Sequence, residues 1–149
     1  MYGKVSSFSY GLITHPVHIS GGTGKTFCIN TALADLRSKG NIALCAATSG
    51  IAATLLSGGA TAHSMFKIPL DLHRQEMPQC NIPKQSELAE VLKLTSLIVW
   101  DEATMAHLKA AEALDRTLQD IRSCSKPFGG TVNELKEIYY LANLLKYDN

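Results

Sequence analysis

The glycine-rich stretch that decides the fold reads Ser20-Gly21-Gly22-Thr23-Gly24-Lys25-Thr26. Glycines let a backbone curl closely around a polyphosphate, because no Cβ obstructs the approach. The amide groups of such a loop, with the positive end of the dipole of the following helix, favour bound phosphate. Lys25 would reach the β- and γ-phosphates, and the Thr26 hydroxyl would hold Mg²⁺. The predicted phosphate-binding residues are therefore Gly21, Gly22, Thr23, Gly24, Lys25 and Thr26.

The residues before this loop depart from the complete pattern. That pattern, G-x-x-x-x-G-K-[ST], requires a glycine at position 19, where the chain has Ile19. Pro16 lies in the short apolar run that precedes the loop, and a proline cannot donate to a strand ladder. The run is therefore a poor central strand, and we expect the loop to be held less firmly than in the complete pattern.

Helices and apolar strands alternate after the loop. The pattern predicts a helix over 24–39, with Phe27, Leu33 and Leu36 on its buried face, and then a buried strand over 42–47. Further helices are predicted over 51–56, 86–93 and 105–122, whereas residues 69–85 contain three prolines and are expected to form a surface loop. This order predicts an α/β fold with a mostly parallel sheet flanked by helices.

Two adjacent carboxylates follow a second apolar strand. Residues 95–100 are expected to be buried, and Asp101 and Glu102 come directly after them. Ligands of open α/β sheets bind outside the carboxyl ends of the strands. Asp101 would hold Mg²⁺, and Glu102 would polarise the water that attacks the γ-phosphate, with Lys25 as the second catalytic residue. Together with the glycine-rich loop, this pair predicts a P-loop NTPase.

Five stretches occur in an order that is more specific than the phosphate loop alone. They are Gly21-Gly22-Thr23-Gly24-Lys25-Thr26, residues 46–53, residues 58–69, Trp100-Asp101-Glu102-Ala103 and Pro127-Phe128-Gly129-Gly130. In this order the sequence resembles the PIF (petite integration frequency) DNA helicases of superfamily one, including the helicase part of plant Helitron transposons. The match is partial and covers the first RecA-like domain.

The resemblance implies an ATP-dependent DNA helicase that hydrolyses ATP with Mg²⁺ and moves 5′ to 3′ on single-stranded DNA. Such enzymes serve telomere maintenance, DNA repair and recombination. The resemblance also implies that Thr48, Ser49 and His63 face the DNA strand. From the residues alone, His63 is better interpreted as a hydrogen-bonded structural histidine, and only the resemblance favours the DNA-facing role. We expect a nuclear or other intracellular compartment that contains DNA.

The two ends of the chain do not follow the family pattern. We expect a divergent N-terminal segment over 1–18, a partial RecA-like helicase ATPase domain over 19–130 and a divergent helical tail over 131–149. The second RecA-like domain, with its arginine finger, does not occur in the sequence. Because unwinding requires closure of two motor domains over ATP, we expect the chain to bind nucleotide weakly at best and not to unwind DNA alone.

Two other functions stay open at this point. One is a non-enzymatic remnant that folds without ATPase activity. The other is a different P-loop phosphotransferase, which would need an acceptor-binding lid; residues 69–85 contain no basic cluster suited to one.

Composition adds weaker constraints. The chain has 149 residues with 46% apolar and 18% charged residues, which is typical of a globular domain. A net charge of +1 gives no overall attraction for nucleic acid, although a local groove could provide it. Cys28 and Cys45 are expected to be buried, and Arg116, Arg122 and Lys126 to form a solvated helix face. No apolar run is long enough to span a membrane, and no protein partner can be inferred.

Overall fold

Three parallel strands organise the described part of the chain. The structure is a computed structural model that describes residues 24–130, apart from the side chains of Lys25 and Thr104. The glycines at 21 and 22, Thr23 and the predicted segments 1–18 and 131–149 lie outside the described residues.

The predicted helices and strands occur in the predicted order, and the structure adds a short strand and a short helix between residues 60 and 66. The α-helices are α1 (Lys25–Ser38), α2 (Gly50–Leu55), α3 (Ala62–Phe66), α4 (Glu87–Leu94) and α5 (Leu108–Arg122). The strands are β1 (Ile42–Ala47), β2 (Ala60–Thr61) and β3 (Thr95–Asp101). Short 3₁₀ turns cover Leu72–Arg74, Ala103–Met105 and Pro127–Gly130.

The sheet has the order β2-β1-β3, and both strand pairs are parallel. Successive residues of β1 and β3 point to opposite faces, and both faces are covered. Cys45 and Val99 pack with α1 and α2 on one face, whereas Ile98 and Trp100 pack with α3, α4 and α5 on the other. This double coverage explains the continuously apolar strands and confirms the predicted α/β class.

The buried face of α1 differs from the prediction. Leu33 is fully buried, and Ile29 and Leu36 pack beside it, but Phe27 is 75% exposed. Residues 29, 33 and 36 are spaced four and three apart, which places them on one helical stripe. Phe27 lies six residues before Leu33, which is about 240° around the helix, so it cannot share that stripe. Cys28 is exposed as well, contrary to the prediction, whereas Cys45 is buried as expected.

Residues 69–85 are not simply a surface loop. Leu72, Pro78 and Cys80 are buried, and the Cys80 amide donates to the hydroxyl of Thr117 on α5 at 2.9 Å. Burial raises the pKa of the Cys80 thiol to about 11. This segment therefore covers one side of α5 as part of the apolar core.

The last long helix also begins later than predicted. Met105 ends a 3₁₀ turn and is 71% exposed, and the extended backbone of Ala106 separates that turn from α5. His107 then caps α5, because its Nδ1 accepts a hydrogen bond from the Lys109 amide at 3.1 Å. Met105 therefore lies outside the α-helix that was predicted to begin there.

Arg122 does not belong to a solvated face either. Its guanidinium donates to the carbonyl oxygens of Leu92 and Thr95, which lie at the end of α4 and the start of β3. These carbonyls are near a helix C-terminus, where a cation is favoured. Arg116 forms an ion pair with Glu112 at 2.9 Å, and both side chains are half-buried.

Candidate functional site

The strand register brings the predicted acidic and hydroxyl residues to one edge of the sheet. Ala47 is paired with Thr61 of β2 and with Asp101 of β3, so these three residues form one row across the sheet. Adjacent strands lie about 4.8 Å apart, so the row is about 10 Å wide. The next residues of each strand, including Thr48 and Glu102, therefore meet beyond the carboxyl ends of the strands, where ligands of open α/β sheets bind.

Asp101 is the last residue of β3 and is only 6% exposed. Its Oδ1 accepts a hydrogen bond from the Glu102 amide at 2.9 Å. This contact fixes the carboxylate at the edge and stabilises the chain reversal that follows β3. A buried, oriented carboxylate oxygen is a ligand that Mg²⁺ prefers.

Glu102 occupies the left-handed region, with φ of 57° and ψ of 29°. A residue other than glycine rarely adopts this conformation, and such positions are held only where the surroundings fix them. Here the Thr48 amide donates to the Asp101 carbonyl at 3.1 Å, and the Thr48 hydroxyl donates to the Glu102 carbonyl at 2.8 Å. The junction between β1 and α2 therefore holds the backbone of both acidic residues.

Ser49 contacts the side chain of Glu102. The Ser49 Oγ lies 3.0 Å from Glu102 Oε2. The Ser49 Oγ also accepts a hydrogen bond from the Ala52 amide at 3.2 Å. Ser49 is thus both the N-cap of α2 and a donor to the predicted catalytic carboxylate.

Trp100 anchors this junction from the core side. The indole is 1% exposed and packs against Phe66, with ring centroids 6.2 Å apart. Its Nε1 donates to the Thr48 hydroxyl at 3.1 Å, which satisfies the one polar group of the indole. The predicted burial of residues 95–100 is confirmed at Trp100.

The start of α1 lies towards the same edge. Arg37 in the last turn of α1 donates to the Ala43 carbonyl near the start of β1, so the helix runs back along the strand. At about 1.5 Å per residue, the 14-residue α1 is about 21 Å long. The six residues of β1 span about 20 Å, which brings Lys25 and Thr26 to the level of Ala47.

Gly24 precedes α1 with φ of 79°, a left-handed conformation that suits glycine. No atom lies within 4 Å of the position that a Cβ would occupy there. The Gly24 carbonyl accepts the first helical hydrogen bond, from the Cys28 amide at 3.0 Å. The amides of the first turn of α1 therefore have the arrangement of an anion-binding helix start.

His63 lies two residues after the end of β2. It lies one residue into α3, directly after the Thr61–Ala62 step from β2, and is half-buried. Because β2 is parallel to β1, His63 leaves the sheet at the same edge as Thr48 and Ser49. Its carbonyl accepts hydrogen bonds that end α3, from the amides of Lys67 and Ile68.

The contacts of Thr48 and Ser49 with Glu102 were not predicted from the sequence. The sequence did contain one signal for them. Thr48 and Ser49 come directly after the apolar run of β1, just as Asp101 and Glu102 come at the end of the apolar run of β3. Only the register of β1 with β3 determines that these pairs meet.

Several known proteins are similar to this chain. The family described as PIF1-like helicase matches residues 14–135. The ATP-dependent DNA helicase Pif1 of Psychrobacter sp. is 32% identical over 111 residues, which are 74% of this chain and 17% of that protein. The ATP-dependent DNA helicase RRM3 of Saccharomyces cerevisiae is 31% identical over 114 residues, which cover 74% of this chain and 16% of that protein. The chain thus spans about a sixth of the length of these relatives.

Solved structures of similar proteins show the same fold. Bacteroides Pif1 bound to single-stranded DNA has a TM-score of 0.61 and 29% identity, covering 73% of this chain and 24% of that one. Bacteroides Pif1 in complex with ADP-AlF4 has a TM-score of 0.57 and 32% identity, and the match covers 74% of this chain and 24% of that one. Pif1 of Candida albicans has a TM-score of 0.61 and 25% identity, covering 74% and 25%. None of the helices between residues 24 and 130 has the length and apolar content that a membrane crossing requires.

Proposed function

Because the chain belongs to the PIF1-like helicase family, we propose that it forms the ATP-binding part of an ATP-dependent DNA helicase. The single observation that carries the proposal is the edge row of Thr61, Ala47 and Asp101, with Glu102 and the Thr48–Ser49 junction directly beyond it. Carboxylates at the carboxyl end of a buried parallel strand, on the side of the sheet where α1 begins, suit metal-assisted phosphoryl transfer. In this proposal residues 19–130 are the partial RecA-like domain.

The phosphate groups of ATP would be gripped by the loop and the first turn of α1. The proposed binding residues are Gly21, Gly22, Thr23, Gly24, Lys25 and Thr26. The left-handed Gly24 and the amides that begin α1 support this assignment, because they form a positive, unobstructed helix start. Lys25 would add a point charge at the β- and γ-phosphates.

Thr26 and Asp101 are the proposed ligands of Mg²⁺. A hydroxyl and a carboxylate, together with phosphate oxygens and water, match the hard oxygen ligands that this ion requires. Bound Mg²⁺ would neutralise charge on the phosphates of ATP during hydrolysis. Asp101 is suited to this role because the Glu102 amide already orients its carboxylate.

Glu102 is the proposed residue that aligns the attacking water. Its half-buried carboxylate lies one residue beyond Asp101, so one residue can serve the ion while the next accepts a hydrogen bond from water. The left-handed backbone of Glu102 turns the chain sharply, which lets adjacent residues serve different partners. Such positioning, rather than covalent chemistry, dominates phosphoryl transfer.

Single-stranded DNA is the proposed partner, with Thr48, Ser49 and His63 on its side of the sheet edge. The support is the position of these residues after β1 and β2, together with the similar Bacteroides Pif1 that is bound to single-stranded DNA. We infer service in telomere maintenance, DNA repair and recombination, in the nucleus or another compartment that contains DNA, from the relatives named as DNA helicases.

Dependence of ATP affinity on Mg²⁺ tests the site assignments. Mg²⁺ is expected to raise the ATP affinity of the wild type and of the control Asp120→Asn, whose carboxylate forms an exposed ion pair with Lys84. Asp101→Asn should lose most of this Mg²⁺ effect, because an amide oxygen is a weaker ligand than a carboxylate. An equal Mg²⁺ effect in Asp101→Asn, or none in the wild type, would contradict the proposal.

Strand separation tests the proposed limit on the activity of the chain. The chain covers only about a sixth of the length of its relatives, and we propose that closure over ATP requires the remaining part of such a protein. No ATP-dependent separation of a forked duplex by the 149-residue chain is expected. Separation by this chain alone, abolished by Glu102→Gln, would refute this limit while supporting the site.

A further inference from the structure

The junction between β1 and α2 holds Glu102 at two separate points. Thr48 donates to its main-chain carbonyl at 2.8 Å, and Ser49 lies 3.0 Å from its carboxylate. The Thr48 hydroxyl also accepts from the buried Trp100 indole, which ties the main-chain contact to the core. The contact with Ser49 is different, because it joins two half-buried side chains at the sheet edge.

A serine hydroxyl has one proton to donate. The Ser49 oxygen accepts from the Ala52 amide, and its proton is directed to the Glu102 carboxylate, whose oxygens are acceptors. A phosphate oxygen that binds Ser49 as acceptor would compete for this single proton. One atom therefore cannot bind a DNA phosphate and hold Glu102 at the same time.

We propose that Ser49 is a positioning residue for Glu102, and that a phosphate of single-stranded DNA bound at Ser49 releases the carboxylate. This inference rests on the proposed function, since it concerns the same site. In the state described here, the hydrogen bond from Ser49 to Oε2 of Glu102 holds the side chain towards α2. Release lets the carboxylate turn away from α2 and accept a hydrogen bond from the attacking water, while Thr48 keeps the backbone in place.

The carbon-13 chemical shift of the Glu102 carboxyl group reports this contact without any need for catalysis. The full chain is labelled with carbon-13 glutamate, and the Glu102 signal is identified by its loss in Glu102→Gln. We expect Ser49→Ala to move the signal, and Ser49→Thr to restore it because threonine keeps the hydroxyl. Ser86→Ala is the matched control, since Ser86 caps α4 through an equal 3.2 Å bond to the Ala89 amide.

Addition of oligothymidylate tests the release step. The signal of the wild type should move towards its position in Ser49→Ala, whereas the signal of Ser49→Ala should stay unchanged. An unmoved signal in Ser49→Ala without DNA would overturn the positioning role. A bound oligonucleotide that leaves the wild-type signal in place would overturn the release step.

Two further arms separate this inference from the proposed function. Fluorescence anisotropy of a labelled oligothymidylate reports binding itself; absence of binding would overturn the proposed DNA partner, and the release step with it. The Ser49→Ala shift would still decide the positioning role. Inorganic phosphate is the last probe. If it moved the Glu102 signal as far as oligothymidylate does, the proposal that a DNA phosphate is the ligand of Ser49 would be overturned.

Discussion

Arg122 donates a 2.7 Å hydrogen bond to the carbonyl oxygen of Thr95, a residue 27 positions earlier in the chain. The same guanidinium reaches the Leu92 carbonyl at 3.0 Å, so it joins the end of α5 to the step between α4 and β3. This contact fixes where β3 begins and thereby supports the strand that ends in Asp101.

Loss of this guanidinium is expected to destabilise the fold. Arg122→Met keeps much of the apolar stem but removes the donors to two carbonyls, and hydrogen bonds to charged groups contribute about 1.5–3 kcal/mol. We expect a loss of this size in the free energy of unfolding, measured by urea denaturation. The control Arg116→Met removes an ion pair between neighbouring turns of α5, and its loss should lower the free energy of unfolding by no more than about 1 kcal/mol. Equal effects of the two variants would contradict the capping role.

Leu33 is the apolar anchor of α1 on the sheet. It is fully buried, so Leu33→Ala should lower the free energy of unfolding by about 2–5 kcal/mol through lost contacts and a cavity. Phe27→Ala removes a larger side chain that is 75% exposed and should stay within about 0.5 kcal/mol of the wild type. If Phe27→Ala cost as much as Leu33→Ala, the assigned face of α1 would be wrong.

Gly129 requires both its backbone conformation and its missing side chain. Its φ is 63°, and a Cβ there would lie 2.5 Å from the Leu118 carbonyl oxygen. Gly40 also has a positive φ, of 77°, but a Cβ there would meet no atom within 4 Å. Gly40→Ala should therefore lower the free energy of unfolding by about 1–2 kcal/mol, which is the cost of a left-handed backbone at alanine. Gly129→Ala should lower it by clearly more, because the added Cβ also clashes with Leu118. Thermal unfolding of the two variants provides the comparison, and the opposite order would refute the packing of residues 127–130 on α5.

The buried thiol of Cys80 should make stability fall at alkaline pH. Its pKa is raised from 9.0 to about 11, because burial disfavours the thiolate. Between these values the unfolded chain loses a proton that the folded chain keeps, so the contribution is fully present below pH 9 and decreases as pH rises towards 11. Cys80→Ala should show a smaller decrease in the free energy of unfolding over this interval. The same decrease in both proteins would contradict the burial of this thiol.

The sequence was sufficient for features that depend on local pattern. Continuous apolar runs predicted β1 and β3, because strands covered on both faces need no alternation. The helix predicted over 86–93 is confirmed by α4, and the structure adds that the Ser86 hydroxyl caps it by accepting from the Ala89 amide. The parallel sheet and its partial RecA-like character followed from the order of motifs.

Features that depend on distant contacts could not be predicted in this way. The burial of Cys80 depends on Thr117, 37 residues later, and the role of Arg122 depends on where α4 ends. The contact between Ser49 and Glu102 joins residues 53 positions apart and exists only because β1 and β3 are paired in one register. Composition and periodicity contain no direct signal for such pairs.

Binding of Mg-ATP to the full chain tests the central claim most directly. The ligand is titrated into the wild type, into Lys25→Ala and into Lys39→Ala, whose ammonium group instead pairs with Asp35 at the far end of α1. We predict weak but saturable binding to the wild type and to Lys39→Ala, and loss of binding in Lys25→Ala because the charge at the phosphates is removed. Equal binding by all three proteins would contradict the assigned phosphate site. No binding by any of them would identify the chain as a folded remnant without a nucleotide site.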